Sequence, residues 1–443
     1  MSQEWLETPA AELGRGIEAG RIDPVDLTET FLAAIEAHPL SPRIYACPTP
    51  ERARAEAEAA RARARSGLRR GLLDGVPVSW KDLFDTAGIA TEAGSALLAG
   101  RVPERDARVV RNATFAGTVC LGKTHLSELA FSGLGLNPVT ETPPARHDGE
   151  AVAGGSSSGA AASVAQGLAP LAIGSDTGGS VRIPAAWNDL VGLKTSHGRL
   201  SLEGVVPLCP RFDTVGPLAR TVEDAALALA ALEGGRPADL AGASLAGARL
   251  MVLETVALDD LRPEPAAGFE NAVARLEAAG ARIERRALPF VAEAHALSPV
   301  LFAAEAYATW EREIEAAPEK MFPQILARFR GGRDVLARDY IRAWAKLETF
   351  RARWQEETAG FDAVILPTAP NLPPKIDRLM SDDEYYRTEN LLTLRNTRIG
   401  NLMGLAALTL PTGVPATGIM LMIPPGSEER LLRLGSAAEA ALA

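Results

Sequence analysis

The chain has 443 residues, of which 47% are hydrophobic and 23% charged, and its formal net charge at pH 7 is −10. This length suits a large core in one to three domains, and the acidic balance argues against nucleic acid as the main partner. Because no apolar run is long enough to span a membrane and the acidic N-terminus lacks signal-peptide features, we expect a cytoplasmic protein without a membrane partner.

Cys47, Cys120 and Cys209 are isolated, odd in number and without a CxxC pair. This pattern predicts neither a disulfide framework nor a zinc site. We expect all three cysteines to behave as small buried hydrophobic residues.

Helices are predicted at the N-terminal end of the chain. Residues 9–37 alternate acidic and apolar positions at helical spacing. Residues 50–66, "PERARAEAEAARARARS", predict an exposed helix whose charges pair at i,i+4 rather than bind nucleic acid.

From residue 75 onward, short apolar runs alternate with helical segments. The runs "GVPVSWKDLF", "GTVCLGKT" and "PLAIGSDTGGS" predict buried strands that end in glycine and polar residues. Helices are expected over about 106–116, 124–132 and 159–168. This alternation is typical of an α/β fold with functional residues at the strand ends.

The C-terminal half continues the same pattern. "ARLMVLE", a helix near 265–279 and "ARIERRALP" predict a strand–helix–strand unit, and "DAVILPTAP" and "LAALTLPTG" predict two more buried strands. The segment at about 300–360 has a helical pattern and contains several aromatic residues, and we expect it to cover one end of the sheet. Since no fixed repeat or low-complexity linker occurs, residues 1–443 are predicted to form one domain.

Two segments match nucleotide-binding patterns, but the residues around or within each match do not fit such a site. Residues 117–124, "GTVCLGKT", match the P-loop pattern, but the residues between the glycines read as the strand itself. A P-loop needs its strand before the first glycine. "GLGLNP", at 133–138, lacks the third glycine of a dinucleotide fingerprint. We therefore expect no nucleotide cofactor.

A serine nucleophile in this chain would need a base other than histidine. "GSSSG", at 155–159, matches GxSxG, but no strand precedes it and no histidine stands in a marked context. Lys81 ends the apolar run "GVPVSW", and a lysine there can act as a base if burial lowers its pKa. The competing interpretation, favoured for Lys81 taken alone, is an ordinary salt bridge with Asp82 or another acidic residue.

The stretch "GSDTGGSVRIP", at 174–184, predicts an anion-binding loop. Its two glycines follow the strand "PLAIG" and let successive N–H groups point the same way. Ser180, at the end of that loop, would have an oxyanion hole beside it. Asp176 and Arg182 flank the loop with opposite charges and could brace it.

Together these motifs resemble the amidase signature family. The resemblance rests on Lys81 in "GVPVSWKD", "GGSSSG" at 154–159 and "GSDTGGSVRIPA" at 174–185, with Ser156 and Ser180 24 residues apart. It is strong over residues 9–230 and looser toward "DAVILPTAP" and "LTLPTG". It implies an α/β/α sandwich with a large twisted mixed sheet, and a signature core at about 70–230.

The resemblance also implies a role for each motif residue. Ser180 resembles the nucleophile, Ser156 a bridging serine after a non-proline cis peptide bond, and Lys81 the base behind it. The implied oxyanion hole consists of the N–H groups of Thr177, Gly178, Gly179 and Ser180.

Further residues near the implied site keep two interpretations each. Ser157 and Ser158 either bond Lys81 or cap the helix that follows, and the cap is favoured. Arg182 either pairs with Asp176, which is favoured, or binds a substrate carboxylate.

The resemblance implies hydrolysis of a small-molecule amide through a serine acyl-enzyme, without metal or organic cofactor. The alternative is the ammonia-releasing component of an amidotransferase, which carries a serine-rich stretch where this chain has "SELAFSGLGLNP". This departure favours a stand-alone amidase. A homodimer is common among the members of the family that the chain resembles, so a homodimer is a possible assembly here. A catalytically silent binding protein requires that Lys81, Ser156 and Ser180 do not converge. We expect the short segment after "LPTG" and the helical cover to shape the pocket.

Overall fold

The computed structural model describes residues 3–443. Thirteen strands are present among them, eleven in one sheet and two in a hairpin. The strands are β1 (Tyr45–Pro48), β2 (Pro77–Lys81), β3 (Val119–Thr124), β4 (Pro144–Ala145), β5 (Asp148–Val152), β6 (Leu171–Asp176), β7 (Val191–Lys194), β8 (Thr214–Ala219), β9 (Arg249–Leu253), β10 (Arg282–Arg286), β11 (Ala363–Pro367), β12 (Ala406–Pro411) and β13 (Gly418–Ile423).

Helices fill most of the chain between the strands. They are α1 (Ala10–Glu18), α2 (Pro24–Ala37), α3 (Ser41–Ile44), α4 (Pro50–Arg65), α5 (Arg108–Ala116), α6 (Ser158–Ala165), α7 (Arg182–Trp187), α8 (Val222–Glu233), α9 (Pro263–Ala278), α10 (Phe290–His295), α11 (Ser298–Ala316), α12 (Pro323–Arg330), α13 (Ala337–Thr358), α14 (Ile376–Ser381), α15 (Asp383–Leu402) and α16 (Glu428–Leu442). No helix within residues 3–443 is long and apolar enough to cross a membrane.

The large sheet is mixed, with the order β1-β3-β2-β6-β8-β7-β12-β13-β11-β9-β10. Its parallel neighbours include β2 and β6, in the register Trp80↔Ile173. Because parallel strands end at the same edge of a sheet, the ends of β2 and β6 bring Lys81 close to Asp176. This edge carries the candidate site.

Helices cover both faces of the sheet. Gly192 on β7 pairs with Thr409 on β12 and lies against Ala185 of α7. The next residue along β12, Leu408, points to the opposite face and lies against Gly435 of α16. Helix α15 packs with α7, whereas α8 and α9 pack with α16. The predicted α/β/α sandwich is therefore confirmed.

Local sequence explains several helix ends. Asp23 accepts a hydrogen bond from the Val25 N–H and Pro24 occupies the first helical position, so the periodic stretch 9–37 breaks into α1 and α2. The predicted helix over 124–132 is wrong. Only a 3₁₀ turn, Glu128–Ala130, forms there, because the backbone of the segment bonds to the serine-rich segment instead: Ser127 N donates to the Ser156 carbonyl at 3.2 Å.

Four strands of the sheet were not predicted from the sequence. They are β1, β7, β8 and β13; β1 and β7 have only four residues each, and β8 contains a glycine and a proline. The strand–helix–strand unit β9–α9–β10 matches its prediction, with β9 and β10 parallel.

Candidate active site

Lys81 is fully buried at the end of β2. Its Nζ donates to Ser156 Oγ at 2.7 Å and to Ser175 Oγ at 2.8 Å. The competing salt bridge with Asp82 is absent from residues 3–443, since Asp82 binds Lys123 Nζ at 3.0 Å. Lys81 is therefore free of an acidic partner within hydrogen-bonding distance in the described chain.

Burial lowers the pKa of Lys81 to about 7, against a smaller opposite effect of the Asp176 and Asp213 carboxylates. A lysine with this pKa is substantially neutral near pH 7 and can accept a proton. The pKa of Lys194 is also lowered to about 7 by burial, but among the described residues Lys194 Nζ binds only the carbonyl oxygens of Thr195 and Leu405. Lys81 differs from Lys194 because its Nζ binds the hydroxyls of Ser156 and Ser175.

The serine run begins at a cis peptide bond between Gly155 and Ser156. A side chain at residue 155 would collide with Gly135 N and Ser127 Oγ, so glycine is required for this close approach. The run then leads into α6, which starts at Ser158.

The favoured capping role of Ser157 and Ser158 is wrong. Ser157 occupies the N-cap position, but its hydroxyl donates to the Ser175 carbonyl at 3.2 Å and caps no helical N–H. Ser158 Oγ is buried without a hydrogen-bond partner among the described residues. Neither hydroxyl bonds Lys81, whose second partner is Ser175.

The loop after β6 is the stretch predicted to bind an anion through its N–H groups. Gly179 has φ +138°, and its N–H donates to Asp176 Oδ1 at 2.9 Å. The N–H groups of Thr177, Gly178 and Ser180 have no backbone or side-chain acceptor within residues 3–443. The Asp176 carboxylate competes for the Gly179 N–H, so the oxyanion hole predicted over Thr177–Ser180 loses that donor.

Asp176 and Arg182 form a fully buried ion pair, with Arg182 Nη2 2.9 Å from Asp176 Oδ1. Burial alone would raise the pKa of Asp176, but the adjacent guanidinium outweighs it and holds that pKa well below its usual range. Arg182 Nη1 also donates to the Thr397 carbonyl and Nη2 to Asn401 Oδ1. Arg182 has no exposed surface, which supports the favoured pairing with Asp176 over a contact with substrate.

Replacement of Arg182 by methionine is expected to lower the free energy of unfolding by about 3–5 kcal/mol, because it leaves the Asp176 carboxylate buried and unpaired. Urea denaturation measures this loss. The control Arg330→Met removes a partly exposed pair with Glu315, which solvent screens, so its loss of stability should be much smaller. Equal losses in the two variants would contradict a structural role for the buried pair.

A cavity of about 250 Å³ opens beside this loop, lined by Thr177, Gly178 and Ser180. Helices α11, α12 and α15 supply further walls, including Phe302 and Leu394. The helical cover thus shapes the pocket as expected. The segment after "LPTG" does not, because β13 lies inside the sheet between β12 and β11.

Ser180 lies at the wall of this cavity and is 4% exposed. Its carbonyl accepts from Ser157 N at 3.2 Å, whereas its hydroxyl has no hydrogen-bond partner among the described residues. Lys81, Ser156 and the Ser180 loop thus converge at one edge of the sheet, but the Ser156–Ser180 hydrogen bond is not formed.

The sequence analysis did not identify several residues whose hydrogen bonds position Lys81 and the loop after β6. Ser175 binds Lys81, Asp213 accepts from Thr177 Oγ1, and Thr397 Oγ1 donates to the Gly178 carbonyl at 2.8 Å. Ser175 stands inside the quoted motif, one residue before Asp176, so its place at a strand end was a usable signal. No local pattern marks Thr397, since it reaches the loop from α15.

Within residues 3–443, no group of three or more His, Cys, Asp or Glu side chains is arranged to hold a metal ion. Cys120 and Cys209 are buried as expected, while Cys47 is partly exposed.

A family model described as Amidase matches residues 26–432. The chain belongs to the amidase family. The 2-amino-5-chloromuconic acid deaminase of Comamonas testosteroni is 37% identical to this amidase, over 97% of this chain and 96% of its own. The A component of the glutamyl-tRNA(Gln) amidotransferase of Chloroflexus aggregans is 31% identical, over 95% of this chain and 93% of its own.

Solved structures agree with the family. A crystal structure of an amidase superposes on this one with a TM-score of 0.88 and 32% identity, over 98% of this chain and 100% of that chain. The protein is therefore an amidase-family hydrolase with the amidase fold.

Proposed function

We propose that this amidase hydrolyses a small-molecule amide to a carboxylate and ammonia or an amine, through an acyl-enzyme on Ser180. The observation that carries the proposal is the Lys81–Ser156 hydrogen bond of 2.7 Å beside a cavity that Ser180 lines. We also propose that residues 1–443 act as one domain, since a single sheet collects strands from Tyr45 to Ile423.

The proposed relay starts from neutral Lys81. Ser156 gives its proton to Lys81 Nζ and takes one from Ser180 Oγ, which attacks the amide carbonyl. This needs a Ser156–Ser180 hydrogen bond, and such bonds often tighten only when substrate is present. The developing oxyanion is held by the N–H groups of Thr177, Gly178 and Ser180, which have no other acceptor among the described residues.

The second half of the reaction runs the relay in reverse. The proton on Lys81 returns through Ser156 to the leaving nitrogen, and the carbon–nitrogen bond breaks. Water then attacks the acyl-enzyme ester, gives its proton to the relay and releases the carboxylate. Each turnover thus consumes one amide and one water.

Ammonia release from a panel of aliphatic, aromatic, dicarboxylic and amino-acid amides tests the proposal, with Ser180→Ala protein as the blank. We expect release from at least one class with the unaltered protein and none with the variant. Release that persists in Ser180→Ala would overturn the proposed nucleophile. Glutaminase activity that appears only with a partner chain would instead support the ammonia-releasing component of an amidotransferase.

The panel also includes a 2-amino-substituted muconic acid, because the Comamonas relative is named for deaminating such an acid. Ammonia from that compound but from no amide would replace amide hydrolysis by deamination as the function of this chain.

A further inference from the structure

Two arginines without acidic partners line the cavity beside Ser180. Arg328 belongs to α12 and Arg398 to α15. No carboxylate oxygen within residues 3–443 lies within 4.0 Å of either guanidinium. Arg328 Nε is buried without a hydrogen-bond partner in the same part of the chain. Both guanidiniums therefore keep their hydrogen-bond donors free.

Aromatic rings are the nearest partners of these cations. The Arg328 guanidinium lies 4.5 Å from the Phe131 ring centre, and that of Arg398 lies 5.7 Å from the Phe302 ring centre. A ring face orients a guanidinium and leaves its in-plane N–H donors available. This arrangement differs from that of Arg182, whose charge Asp176 neutralises.

The two unpaired charges also weaken one another. Burial, together with the nearby Arg328, lowers the pKa of Arg398 to about 9. Both side chains are partly buried, and two like charges partly withdrawn from water are unfavourable unless an anion joins them. The pair thus has the electrostatics of an empty anion site.

The position of Arg398 connects this site to the reacting end of the cavity. Leu391, Leu394 and Arg398 follow one another at i, i+3 and i+7, so one face of α15 lines the cavity. The neighbouring Thr397 donates to the Gly178 carbonyl at 2.8 Å. Arg398 therefore lies one residue from a side chain that touches the oxyanion loop.

We propose that Arg328 and Arg398 bind a carboxylate on the acyl part of the substrate, so that this amidase prefers monoamides of short dicarboxylic acids. The inference rests on the proposed function, because it places the amide at Ser180. The planar guanidinium matches a carboxylate in a bidentate geometry. Phe131 and Phe302 supply apolar walls for the carbon chain, and the volume of about 250 Å³ restricts the substrate to small molecules.

Matched substrate pairs test the preference directly. Succinamate and succinamide, like glutaramate and glutaramide, have nearly the same shape and differ by one negative charge. We expect kcat/KM to favour the acidic member by about 10- to 100-fold, since a charge-assisted hydrogen bond gives discrimination of that order. In Arg328→Met and Arg398→Met the ratio should fall toward one, chiefly through KM, and lysine at either position should restore part of it.

Arg395→Met is the matched control, because Arg395 lies on the same helix, outside the cavity lining, and binds Asn396. It should keep the preference. Glutarate titration into Ser180→Ala protein, followed by calorimetry, adds a readout independent of turnover. Binding should weaken by about 10- to 100-fold when Arg328→Met or Arg398→Met is added to that protein, with thermal denaturation verifying that each variant is folded.

The outcomes separate the inference from the function on which it rests. Equal kcat/KM for the acidic and neutral members, or a preference unchanged in both arginine variants, would overturn the inference and leave amide hydrolysis standing. If neither member is hydrolysed, the proposed function fails for these amides and the glutarate titration decides alone. Arginine-dependent binding then supports the carboxylate site, and binding indifferent to both arginines overturns it.

Discussion

Replacement of Ser180 by alanine is expected to lower kcat on any amide substrate by about 10⁴- to 10⁶-fold, since loss of a nucleophile costs that much in serine hydrolases. The hydroxyl lies at the cavity wall and is bound to nothing else in the described chain, so its removal should leave the fold nearly unchanged. Ammonia release under saturating amide measures the loss, and thermal denaturation verifies the fold.

Ser158→Ala is the matched control for this prediction. Ser158 Oγ is a fully buried serine hydroxyl without a hydrogen-bond partner within residues 3–443 and does not line the cavity. Its removal should change kcat by less than about threefold, because no hydrogen bond of the hydroxyl is lost. Comparable losses in both variants would mean that Ser180 acts through packing, and the nucleophile would have to be sought elsewhere.

The candidate site could be predicted from sequence only where its residues follow one another or end neighbouring strands. Lys81, Ser156 and Ser180 stand in short motifs, and their joint role was implied by the resemblance to the amidase signature family that those motifs carry. The Gly179 donor could not be excluded, because the competing acceptor is a side-chain oxygen of Asp176 within the same loop. Arg328 and Arg398 meet only through tertiary packing of two helices, and no local pattern brings them together.

In the fold, too, local sequence patterns were predictive and features that depend on tertiary contacts were not. Strands with continuous apolar runs, such as β6 and β11, were predicted, whereas β8 contains a glycine and a proline that weaken a strand pattern. Residues 124–132 have helical spacing, yet their backbone bonds to the serine run in the folded protein. Tertiary hydrogen bonds outweigh local propensity there.

Replacement of Lys81 by methionine is expected to lower kcat/KM by about 10²- to 10⁴-fold, the usual contribution of a general base. In the unaltered protein, kcat/KM should also fall about tenfold per pH unit below about pH 7, because protonated Lys81 cannot accept from Ser156 and its pKa is lowered to about 7. The residual kcat/KM of Lys81→Met should not show this fall below pH 7, which is the acidic limb of the pH profile. Initial rates between pH 5 and 9 measure both effects.

Glu128 and Lys194, two fully buried groups with a pKa of about 7, make the pH profile a sharper test than the loss of rate. Burial raises the pKa of Glu128 to about 7, although Ser95 and the Phe322 N–H bind it, and burial lowers that of Lys194 to the same value. Glu128→Gln and Lys194→Met should therefore retain the acidic limb, since neither group contacts Ser156 or lines the cavity. If the limb disappears in Glu128→Gln and persists in Lys81→Met, the titrating group is the carboxyl, and Lys81 is a structural lysine.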